Sequence, residues 1–335
     1  MKRDALNVYR SPLTGNGFQL AEELADGDSI TVGELTSGDE VFRIEDGMPF
    51  FAKTEELGGT AAFARGYYRE IAETYDANVR ITFDLYNEDE LQVRNSMVSL
   101  LQLNRDSKVL EISAGTGKDS SLIASNLGAA GEIWLLDISP HMLQFAREKL
   151  SSFAGRSELA VGDACFLPYR DAYFDALYCF AGVGHFTNQR RAFAEMARVV
   201  KPGGRVVFAE KNVPPWLRDT EYGKILINNN PMFAQADPLA LLPVSVRKAG
   251  IRWILGEVHY VVDFTVGEGA PKGNFDLELP GHRGGTFNTR YFGRLEGVTP
   301  EAKALCERAA TARGLSLHKW LDEAVRQAAS RDLSK

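Results

Sequence analysis

The stretch Leu110-Glu111-Ile112-Ser113-Ala114-Gly115-Thr116-Gly117 decides the fold of this 335-residue chain. Its apolar beginning predicts a buried strand, and the residues that follow Gly117 open a helix. Gly115 and Gly117 let the backbone turn sharply and approach a ligand closely, because no Cβ atom intervenes. A single Gly-x-Gly is weak evidence, since a tight strand–helix turn that binds nothing has the same pattern.

Strand-like and helix-like segments alternate after this turn. Strands are predicted at residues 108–112, 132–136, 159–161, 174–180 and 205–209, and helices at 119–127, 140–150 and 189–200. Strands separated by such helices indicate parallel βαβ units, which bind ligands at the carboxyl ends of their strands. A further helix is predicted at 240–249 and a long strand pair within 251–266. We therefore predict an α/β fold with a doubly wound, mostly parallel, seven-stranded Rossmann-like sheet.

Two carboxylates follow the next strands of the predicted sheet. Asp137 ends the second strand, where an acidic side chain can accept hydrogen bonds from both hydroxyls of a ribose. Asp163 follows the third strand, where a carboxylate can accept a hydrogen bond from the exocyclic amine of an adenine. The end of the fourth strand, residues 180–184, would lie beneath the same ligand. Together these positions predict a nucleotide-containing ligand.

The ordered motifs closely resemble those of class I S-adenosylmethionine-dependent methyltransferases, in particular the ubiquinone- and menaquinone-biosynthesis subgroup. The family pattern acidic-x-Gly-x-Gly-x-Gly stands here as Glu111-x-Ser113-x-Gly115-x-Gly117, and Ser113 is the departure from it. Serine is small, so we treat it as a tolerated replacement. The family's Leu-Lys-Pro-Gly-Gly signature appears as Val-Lys-Pro-Gly-Gly at residues 200–204. The resemblance covers residues 68–266, which makes an NAD site the weaker alternative.

The resemblance implies S-adenosyl-L-methionine as the cofactor and S-adenosyl-L-homocysteine as its product. By that resemblance Glu111 serves the methionine amino group or its water network, Asp137 holds the ribose, and Asp163 contacts the adenine. Met142 would contact the adenine face or belong to the helix core. The expected cofactor contacts are Glu111, Ser113, Ala114, Gly115, Gly117, Asp137, Ile138, Met142, Asp163, Ala164 and Phe180.

His185 is the predicted catalytic base. Methyl transfer needs mainly proximity and alignment, with base catalysis only where the nucleophile carries a proton. His185 lies in the loop that abuts the methyl group in the family, and an unperturbed pKa of about 6.5 suits proton abstraction at neutral pH. The alternative is a histidine that caps the next helix or bonds to the backbone. Glu210, at the end of the fifth strand, is either a substrate ligand or part of an ion pair.

Residues 211–240 are predicted to form a lid that selects the acceptor. Within it, residues 213–236 replace a short connection, and long irregular loops often close over active sites and exclude water. The apolar and aromatic composition of this lid predicts a small, partly apolar or aromatic acceptor rather than a polyanion. The candidate substrate contacts are Glu210, Trp216, Tyr222 and Phe233.

Residues 1–58 are predicted to form a small β-rich unit, with strands at 30–35 and 40–44. The unit resembles a zinc-ribbon-like domain that is fused to some methyltransferases and occurs separately as an activator of tRNA methyltransferases. Zinc-binding versions carry Cys-Pro-x-Cys where this chain has Ser11-Pro12-Leu13-Thr14. Hydroxyls do not supply the thiolates that structural zinc prefers, so we predict no metal. The unit would cover the cofactor domain or a partner.

The tail, residues 286–335, resembles a ribbon–helix–helix module and is predicted as a short β-α-α unit. Residues 289–295 would form the ribbon strand, followed by helices at 299–313 and 316–330. In that family the ribbon pairs with its copy from a second chain and enters the DNA major groove. Because the tail is only mildly basic, we expect a homodimer through it, with nucleic-acid binding less favoured. Packing of the helices on their own methyltransferase domain is the remaining alternative.

Composition narrows the function classes. The net charge of −7 argues against a whole-surface nucleic-acid binder. The three cysteines have no metal-ligand spacing and cannot form an even disulfide framework, which favours a reducing cytoplasm. We expect no membrane span and no secretory signal. The rival functions are a DNA-binding regulator that senses the cofactor, and an RNA methyltransferase.

The predicted domain order follows from these assignments. It consists of the β-rich unit at 1–58, a helical lead-in at 59–104, the methyltransferase domain at 105–285 and the tail at 286–335. The expected reaction is transfer of a methyl group to a small-molecule acceptor.

Overall fold

The computed structural model describes residues 1–52, 66–235, 237–292 and 299–334. The chain divides into two compact units, Met1–Ala270 and Pro271–Lys335, which are described separately. The boundary predicted near residue 58 falls outside the described ranges. Within those ranges, no helix is long and apolar enough to cross a membrane.

The first unit begins with a four-stranded antiparallel sheet. Its strands, in spatial and chain order, are β1 (Gln19–Asp26), β2 (Ser29–Ser37), β3 (Glu40–Glu45) and β4 (Met48–Pro49). Asp46 and Gly47 connect β3 to β4 with φ values of +49° and +70°, in the left-handed region that Asp and Gly tolerate in tight turns. Both sequence-predicted strands of this segment are present, as parts of β2 and β3.

Helices link this sheet to the central one. Residues 66–71 are helical, and α1 (Tyr75–Leu85) and α2 (Glu90–Ser99) follow. Asp76 attaches α1 to the glycine-rich turn, because its carboxylate accepts hydrogen bonds from the hydroxyl of Thr116 at 2.5 Å and from Lys149 at 2.8 Å. Asp89 caps α2 by accepting from the backbone N–H of Gln92 at 2.7 Å.

A seven-stranded sheet forms the centre of the first unit. Its strands are β5 (Lys108–Ile112), β6 (Glu132–Asp137), β7 (Arg156–Val161), β8 (Phe174–Phe180), β9 (Val200–Lys211), β10 (Val246–Ile254) and β11 (His259–Val266). Their spatial order is β10-β11-β9-β8-β5-β6-β7. Strands β5 to β9 pair in parallel, and β11 is antiparallel to both of its neighbours. The predicted α/β fold with a mostly parallel seven-stranded sheet is confirmed.

The central strands are buried over most of their length, as expected where helices pack on a parallel sheet. Those helices include α3 (Lys118–Asn126), α4 (Pro140–Lys149) and α5 (Gln189–Val199). Ser139 caps α4 ahead of Pro140, and Asn188 caps α5, so both helices begin at residues suited to a helix start. Phe193 of α5 stacks on Phe208 of β9, with 4.7 Å between ring centroids.

The N-terminal sheet shares a hydrophobic core with the central sheet. The ring of Tyr9 contacts Phe51, Trp134 and Tyr169 at centroid distances of 5.1, 5.4 and 5.6 Å. Backbone hydrogen bonds add to this contact: Phe51 donates to the carbonyl of Val161 at 2.7 Å. The first 52 residues therefore pack directly on the β7 side of the central sheet.

The helix predicted at 240–249 is wrong. Residues Pro238–Leu241 form one 3-10 turn, and β10 begins at Val246. Pro243 lies in the middle of the predicted helix, where proline removes a hydrogen bond and clashes with the preceding turn. The residues that follow pair with β11, from Val246 opposite Val266 to Ile254 opposite His259, with one register shift between Arg247 and Gly250. The predicted strand pair is present and starts five residues earlier than expected.

The ribbon strand predicted at 289–295 is wrong over residues 289–292, and residues 293–295 lie outside the described ranges. Here α7 (Phe287–Phe292) follows α6 (Glu221–Asn229) of the first unit in chain order. The hydroxyl of Thr286 accepts from the backbone N–H of Thr289 at 3.1 Å, so a helix-start contact outweighs the β-propensity of the aromatic residues.

The two helices predicted for the tail are present as α8 (Pro300–Ala312) and α9 (Leu317–Leu333). Thr299 and Ser316 cap them by accepting from backbone N–H groups three residues later. The described part of the tail is thus α-α-α rather than β-α-α. Dimerisation through the tail stays a prediction, although residues 289–292 do not form the ribbon that suggested it.

Candidate functional site

A cavity opens at the carboxyl ends of β5, β6 and β8, beside the loop that follows β7. It contains about 710 Å³ of space free of protein atoms, part of which is open to solvent. Parallel α/β sheets bind ligands at this edge. The sequence-predicted residues that line the cavity are Ser113, Gly115, Asp137, Ile138, Met142, Asp163, Ala164, Phe180 and His185.

Asp137 supplies a buried carboxylate to this cavity. Its Oδ2 accepts from the backbone N–H of Gly115, and its Oδ1 accepts from that of Ser139, both at 2.8 Å. Burial raises the pKa of Asp137 to about 6, against the lowering effect of these N–H groups. Because each carboxylate oxygen can accept two hydrogen bonds, Asp137 retains capacity for a ligand in the cavity.

Asp163 is held in the loop after β7. Its Oδ1 accepts from the backbone N–H of Cys165 at 2.8 Å, which leaves Oδ2 for another donor. The preceding residue, Gly162, lets the loop pass close to β6, because a Cβ there would lie 2.6 Å from Cδ1 of Leu136. Two carboxylates from neighbouring strands thus line one cavity.

Ser113, which replaces the first glycine of the family pattern, faces a glycine on the loop after β8. Ser113 has φ +54°, a conformation that glycine adopts at low cost. Its side chain fills space that exists because Gly182 has no Cβ: one added there would lie 2.2 Å from Oγ of Ser113. Serine at the first glycine position is therefore accommodated by glycine at position 182.

His185 lies in the 3-10 turn Val183–His185 after β8. Its Nε2 is 3.3 Å from the phenol oxygen of Tyr68, and the two rings meet edge to face. Burial lowers the pKa of His185, while Glu210 raises it, and burial raises the pKa of the Tyr68 phenol far above its usual range. At neutral pH the imidazole is therefore uncharged and able to take a proton.

Glu210 supports the loop that carries His185. It is fully buried, and its Oε2 accepts from the backbone N–H of Gly184 at 2.8 Å, while its Oε1 accepts from that of Lys211 at 2.9 Å. The ammonium of Lys211 is 3.8 Å away. Glu210 does not line the cavity, so the geometry supports its role as an ion-pair partner and loop support more than its role as a substrate ligand.

Three predicted cofactor contacts, Glu111, Ala114 and Gly117, lie outside the cavity lining. Glu111 accepts from the hydroxyl of Ser120, and burial raises its pKa well above the usual range. Gly117 has φ +78° at the start of α3, where a Cβ would lie 2.8 Å from Cα of Ala146 on α4. Close packing of the two helices therefore requires glycine at this position.

The predicted aromatic substrate contacts also lie outside the cavity lining. Trp216 packs on Trp253 of β10 with 5.0 Å between ring centroids, and the hydroxyl of Tyr222 donates to the carbonyl of Gly256 at 2.8 Å. Phe233 is buried in a small cluster of its own. The predicted lid is also more regular than expected, because it contains α6 and three 3-10 turns. Ala236 lies outside the described residues.

Two residues of the predicted lid segment approach the loop that carries His185. A Cβ on Gly184 would lie 2.2 Å from Cε of Met232 and 3.0 Å from Nε2 of Gln235. Met232 and Gln235, and not the predicted aromatic residues, therefore lie next to the loop that carries His185. The lid and its acceptor contacts stay predictions.

Tyr68 and Tyr75 line the cavity, but sequence reasoning did not identify them as site residues. Both belong to the helical lead-in, where Tyr67, Ile71 and Tyr75 form an apolar repeat with four-residue spacing. The available signal was a tyrosine where an aliphatic residue would complete that repeat, because a buried phenol needs a partner. Phe186 and Thr187, directly after His185, line the cavity as well.

Comparison with known proteins agrees with this geometry. Residues 109–204 match the profile of a family described as "Methyltransferase domain". The ubiquinone/menaquinone biosynthesis C-methyltransferase UbiE of Ralstonia pickettii (strain 12J) is 42% identical over 103 residues, which are 31% of this chain and 42% of that protein. UbiE of Cupriavidus pinatubonensis (strain JMP 134 / LMG 1197) is 34% identical over 160 residues, or 47% and 62% of the two chains.

Solved structures with a similar arrangement include a chain of the complex between the Haloferax volcanii Trm112 methyltransferase activator and a methyltransferase. It is 15% identical, covers 60% of this chain and all of its own length, and has a TM-score of 0.44. The PH0226 protein of Pyrococcus horikoshii OT3 is 20% identical, covers 56% of this chain and 98% of its own, and has a TM-score of 0.42. At these TM-scores the sequence match, and not the superposition, carries the assignment.

The family match therefore identifies residues 109–204 as a methyltransferase domain. Its cofactor is S-adenosyl-L-methionine, as the sequence motifs predict. The chain spans 42% of the length of the first relative named above, so the assignment concerns the domain.

The pairing of Ser113 with Gly182 yields a stability prediction. Gly182→Ala should lower the free energy of unfolding by about 1–3 kcal/mol, because the new methyl group overpacks the site. Adding Ser113→Gly should restore most of the loss, since it removes the atoms that the methyl group meets. Chemical denaturation measures both effects.

Gly17→Ala is the matched control, because nothing lies within 4 Å of a Cβ at Gly17 and its φ is not positive. A Gly182→Ala chain as stable as this control would contradict the described packing.

Proposed function

We propose that the protein transfers the methyl group of S-adenosyl-L-methionine, by in-line displacement, to a small, neutral, partly apolar or aromatic acceptor. The observation that carries the proposal is the convergence of Asp137 and Asp163 on one cavity, beside a glycine turn within a methyltransferase domain. The match to C-methyltransferases supports carbon as the acceptor atom, although the activity of those relatives is theirs.

The residues that line the cavity fit this cofactor. Gly115, with φ +55°, opens the backbone toward the ligand, and a Cβ there would meet Tyr75 at 3.9 Å. Asp137 would accept from the ribose hydroxyls and Asp163 from the adenine amine. When bound, S-adenosylmethionine supplies a methyl group on a positively charged sulfur, which is a strong electrophile.

The acceptor class follows from the charge of the lining. Among the described lining residues there is no lysine or arginine, and the region around His185 is aromatic, with Tyr68, Phe180 and Phe186. An anionic acceptor would find no cation there to offset its desolvation. A neutral ring or an apolar chain with one hydroxyl fits this surface better.

We propose His185 as the base and Tyr68 as its partner. The uncharged imidazole can accept a proton from the acceptor, and the phenol of Tyr68 donates to Nε2 until an acceptor hydroxyl takes its place. Since burial keeps Tyr68 protonated, it serves as a hydrogen-bond donor and not as a base.

The N-terminal unit supports the adenine side of the site in this proposal. Phe51 donates to the carbonyl of Val161 just before Gly162 and Asp163, and Arg10 donates to the carbonyl of Pro168 just after them, at 2.9 Å. The loop with Asp163 is thus held at both ends by the first 52 residues. The resemblance of the N-terminal unit to a zinc-ribbon-like activator supports such a role within the same chain.

The direct test is incubation of the protein with a small-molecule extract and methyl-labelled S-adenosylmethionine, followed by mass spectrometry. We expect one labelled product and release of S-adenosyl-L-homocysteine. If calorimetry detects no binding of the cofactor to the folded protein, the proposed function is wrong. Binding of cofactor with labelling of RNA alone would favour the RNA methyltransferase instead.

Asp137→Asn should weaken cofactor binding by roughly 10- to 100-fold, because an amide replaces the charged acceptor. Affinity for the wild-type protein should also fall as the pH drops through about 6, where Asp137 becomes protonated. Calorimetry across this pH range measures both effects.

Protonation of Asp137 lowers the affinity for the cofactor but stabilises the folded, cofactor-free protein. The folded-state pKa of Asp137, about 6, lies above its ordinary value of 3.8, so the folded, cofactor-free protein binds more protons than the unfolded chain between these two pH values. Its stability therefore falls as the pH rises from 3.8 to about 6. Asp171→Asn, a change of an exposed carboxylate outside the cavity, is the control. Equal cofactor affinity for Asp137→Asn and this control would count against the assigned site.

His185→Gln should lower kcat by about 10²- to 10⁴-fold, the usual contribution of a general base, with little change in cofactor affinity. Tyr68→Phe removes the donor to Nε2, so the pKa of His185 should rise and the acidic limb of the pH–rate profile should move to higher pH. Tyr67→Phe, a change of the neighbouring phenol outside the cavity lining, should leave the profile in place. An unmoved profile for Tyr68→Phe would remove Tyr68 from the proposal.

Phe51→Ala should weaken cofactor binding about fivefold, the equivalent of about 1 kcal/mol, because it loosens the strand end next to Asp163. Phe18→Ala is the control, since Phe18 belongs to the same aromatic cluster with 5.6 Å between its ring centroid and that of Phe51. We expect both variants to lower the melting temperature and only Phe51→Ala to change the cofactor Kd. Equal Kd values would mean that the N-terminal unit stabilises the fold alone.

A further inference from the structure

Two turns of the N-terminal unit carry polar residues at matching positions. The first is Ser11-Pro12-Leu13-Thr14-Gly15, and the second is Ser37-Gly38-Asp39-Glu40 between β2 and β3. In each, two oxygen-bearing side chains stand three residues apart, which is the spacing of a Cys-x₂-Cys ligand pair. Gly15 and Gly38 have φ values of +75° and +60°, as tight turns of this kind require.

The structure brings these four positions together. Oε2 of Glu40 accepts hydrogen bonds from the hydroxyls of Ser11 and Thr14, at 2.5 and 3.3 Å. Ser37 is the cross-strand partner of Glu40, so the second pair lies side by side. The hydroxyl of Ser11 also accepts from the backbone N–H groups of Leu13 and Thr14, at 3.2 and 3.1 Å. The carboxylate of Glu40 therefore cross-links the two turns.

The cluster contains two buried oxygen atoms without a hydrogen-bond partner, Oγ of Ser37 and Oε1 of Glu40. Ser37 is only 7% exposed. Buried polar atoms are usually paired, so these two oxygens mark positions where the bonds between the two turns leave hydrogen-bonding capacity unused.

The donor set does not fit zinc. Structural zinc takes four thiolate or imidazole ligands, whereas this set has three neutral hydroxyls and a single carboxylate. Among the described residues there is no group of three or more His, Cys, Asp or Glu side chains that could hold a metal ion. These ligands would therefore carry too little negative charge to bind a zinc ion tightly.

We propose that Ser11, Thr14, Ser37 and Glu40 are the four ligand positions of a zinc-type knuckle, in which the carboxylate of Glu40 performs the cross-linking that a metal ion performs elsewhere. The N-terminal unit then folds without metal and without thiols that oxidants could modify. The inference extends beyond the proposed methyl transfer, because it holds for the unit whatever reaction the cavity performs.

The cross-link is tested by Glu40→Ala beside Asp39→Ala, a change of the exposed neighbouring carboxylate in the same turn. Glu40→Ala should lower the melting temperature by about 2–4 °C, and Asp39→Ala should leave it within about 1 °C. The wild-type melting temperature should not respond to a chelator. A Glu40→Ala chain as stable as the Asp39→Ala chain would overturn the proposed role of Glu40.

The ligand geometry is tested by a variant of the full chain with Ser11→Cys, Thr14→Cys, Ser37→Cys and Glu40→Cys. Titration with Co²⁺ should give one equivalent of binding with the strong visible absorption of a tetrahedral thiolate centre, and Zn²⁺ should displace it. A second variant with Leu13→Cys and Asp39→Cys in place of the changes at 14 and 40 has the same number of thiols at the wrong positions. It should not give that spectrum.

Identical Co²⁺ spectra for the two four-cysteine variants would show that the four positions do not converge. One equivalent of zinc in the purified wild-type protein, measured by elemental analysis, would overturn the metal-free assignment. If the first four-cysteine variant folds only after Zn²⁺ is added, metal has taken over the cross-link and the proposal is supported. If it folds under neither condition, the Glu40 and Asp39 variants decide alone.

Discussion

The carboxylate of Asp137 is the interaction on which the site depends. It is buried at the end of β6 and accepts backbone hydrogen bonds from the turn after β5 and from the start of α4. These N–H donors stabilise a charge that burial alone would disfavour, and they fix the distance between two βα turns. Glycine at 115 allows the first donor to approach, and the N-cap at Ser139 orients the second. The Asp137 carboxylate and the backbone N–H groups that it binds therefore set the shape of the cavity at this edge of the sheet.

Carboxylates also support the other walls of the cavity, through backbone or side-chain donors. Glu210 holds the loop with His185 through the N–H of Gly184, and Asp76 holds the helix with Tyr75 through Thr116 and Lys149. None of these supporting carboxylates lines the cavity. Glu210, which is buried, and Asp76, which is partly exposed, thus act from behind the lining, and the carboxylates of the lining itself are Asp137 and Asp163.

The sequence predicts the fold of the central sheet well, and eight of the eleven predicted cofactor contacts line the cavity, because both depend on local patterns. The alternation of strands and helices, the turn at Gly115 and the acidic strand ends are each readable within a few residues. The acceptor half depends on contacts between distant segments. The prediction of Trp216 and Tyr222 rests on their aromatic character alone. Composition does not indicate which face of a segment meets the cavity, and the structure places both side chains against β10 and the turn after it. Tyr68 reaches His185 from a helix far away in the sequence, so no local pattern could reveal it. Pro243 is a local signal against the helix predicted at 240–249, and the structure has a strand from Val246 instead.

The shared core between the N-terminal sheet and the central sheet has a consequence for synthesis. The backbone of Lys2 donates to Glu158, which lies 156 residues later in the chain, and Tyr9 pairs with Tyr169. Contacts between such distant residues form late, because a long loop must close before they stabilise anything. During synthesis the first 52 residues would therefore remain unpacked, with their aromatic side chains exposed, until β7 and the loop that follows it have left the ribosome. A nascent chain of this protein is most exposed to aggregation in that interval, and chaperone binding should concentrate there.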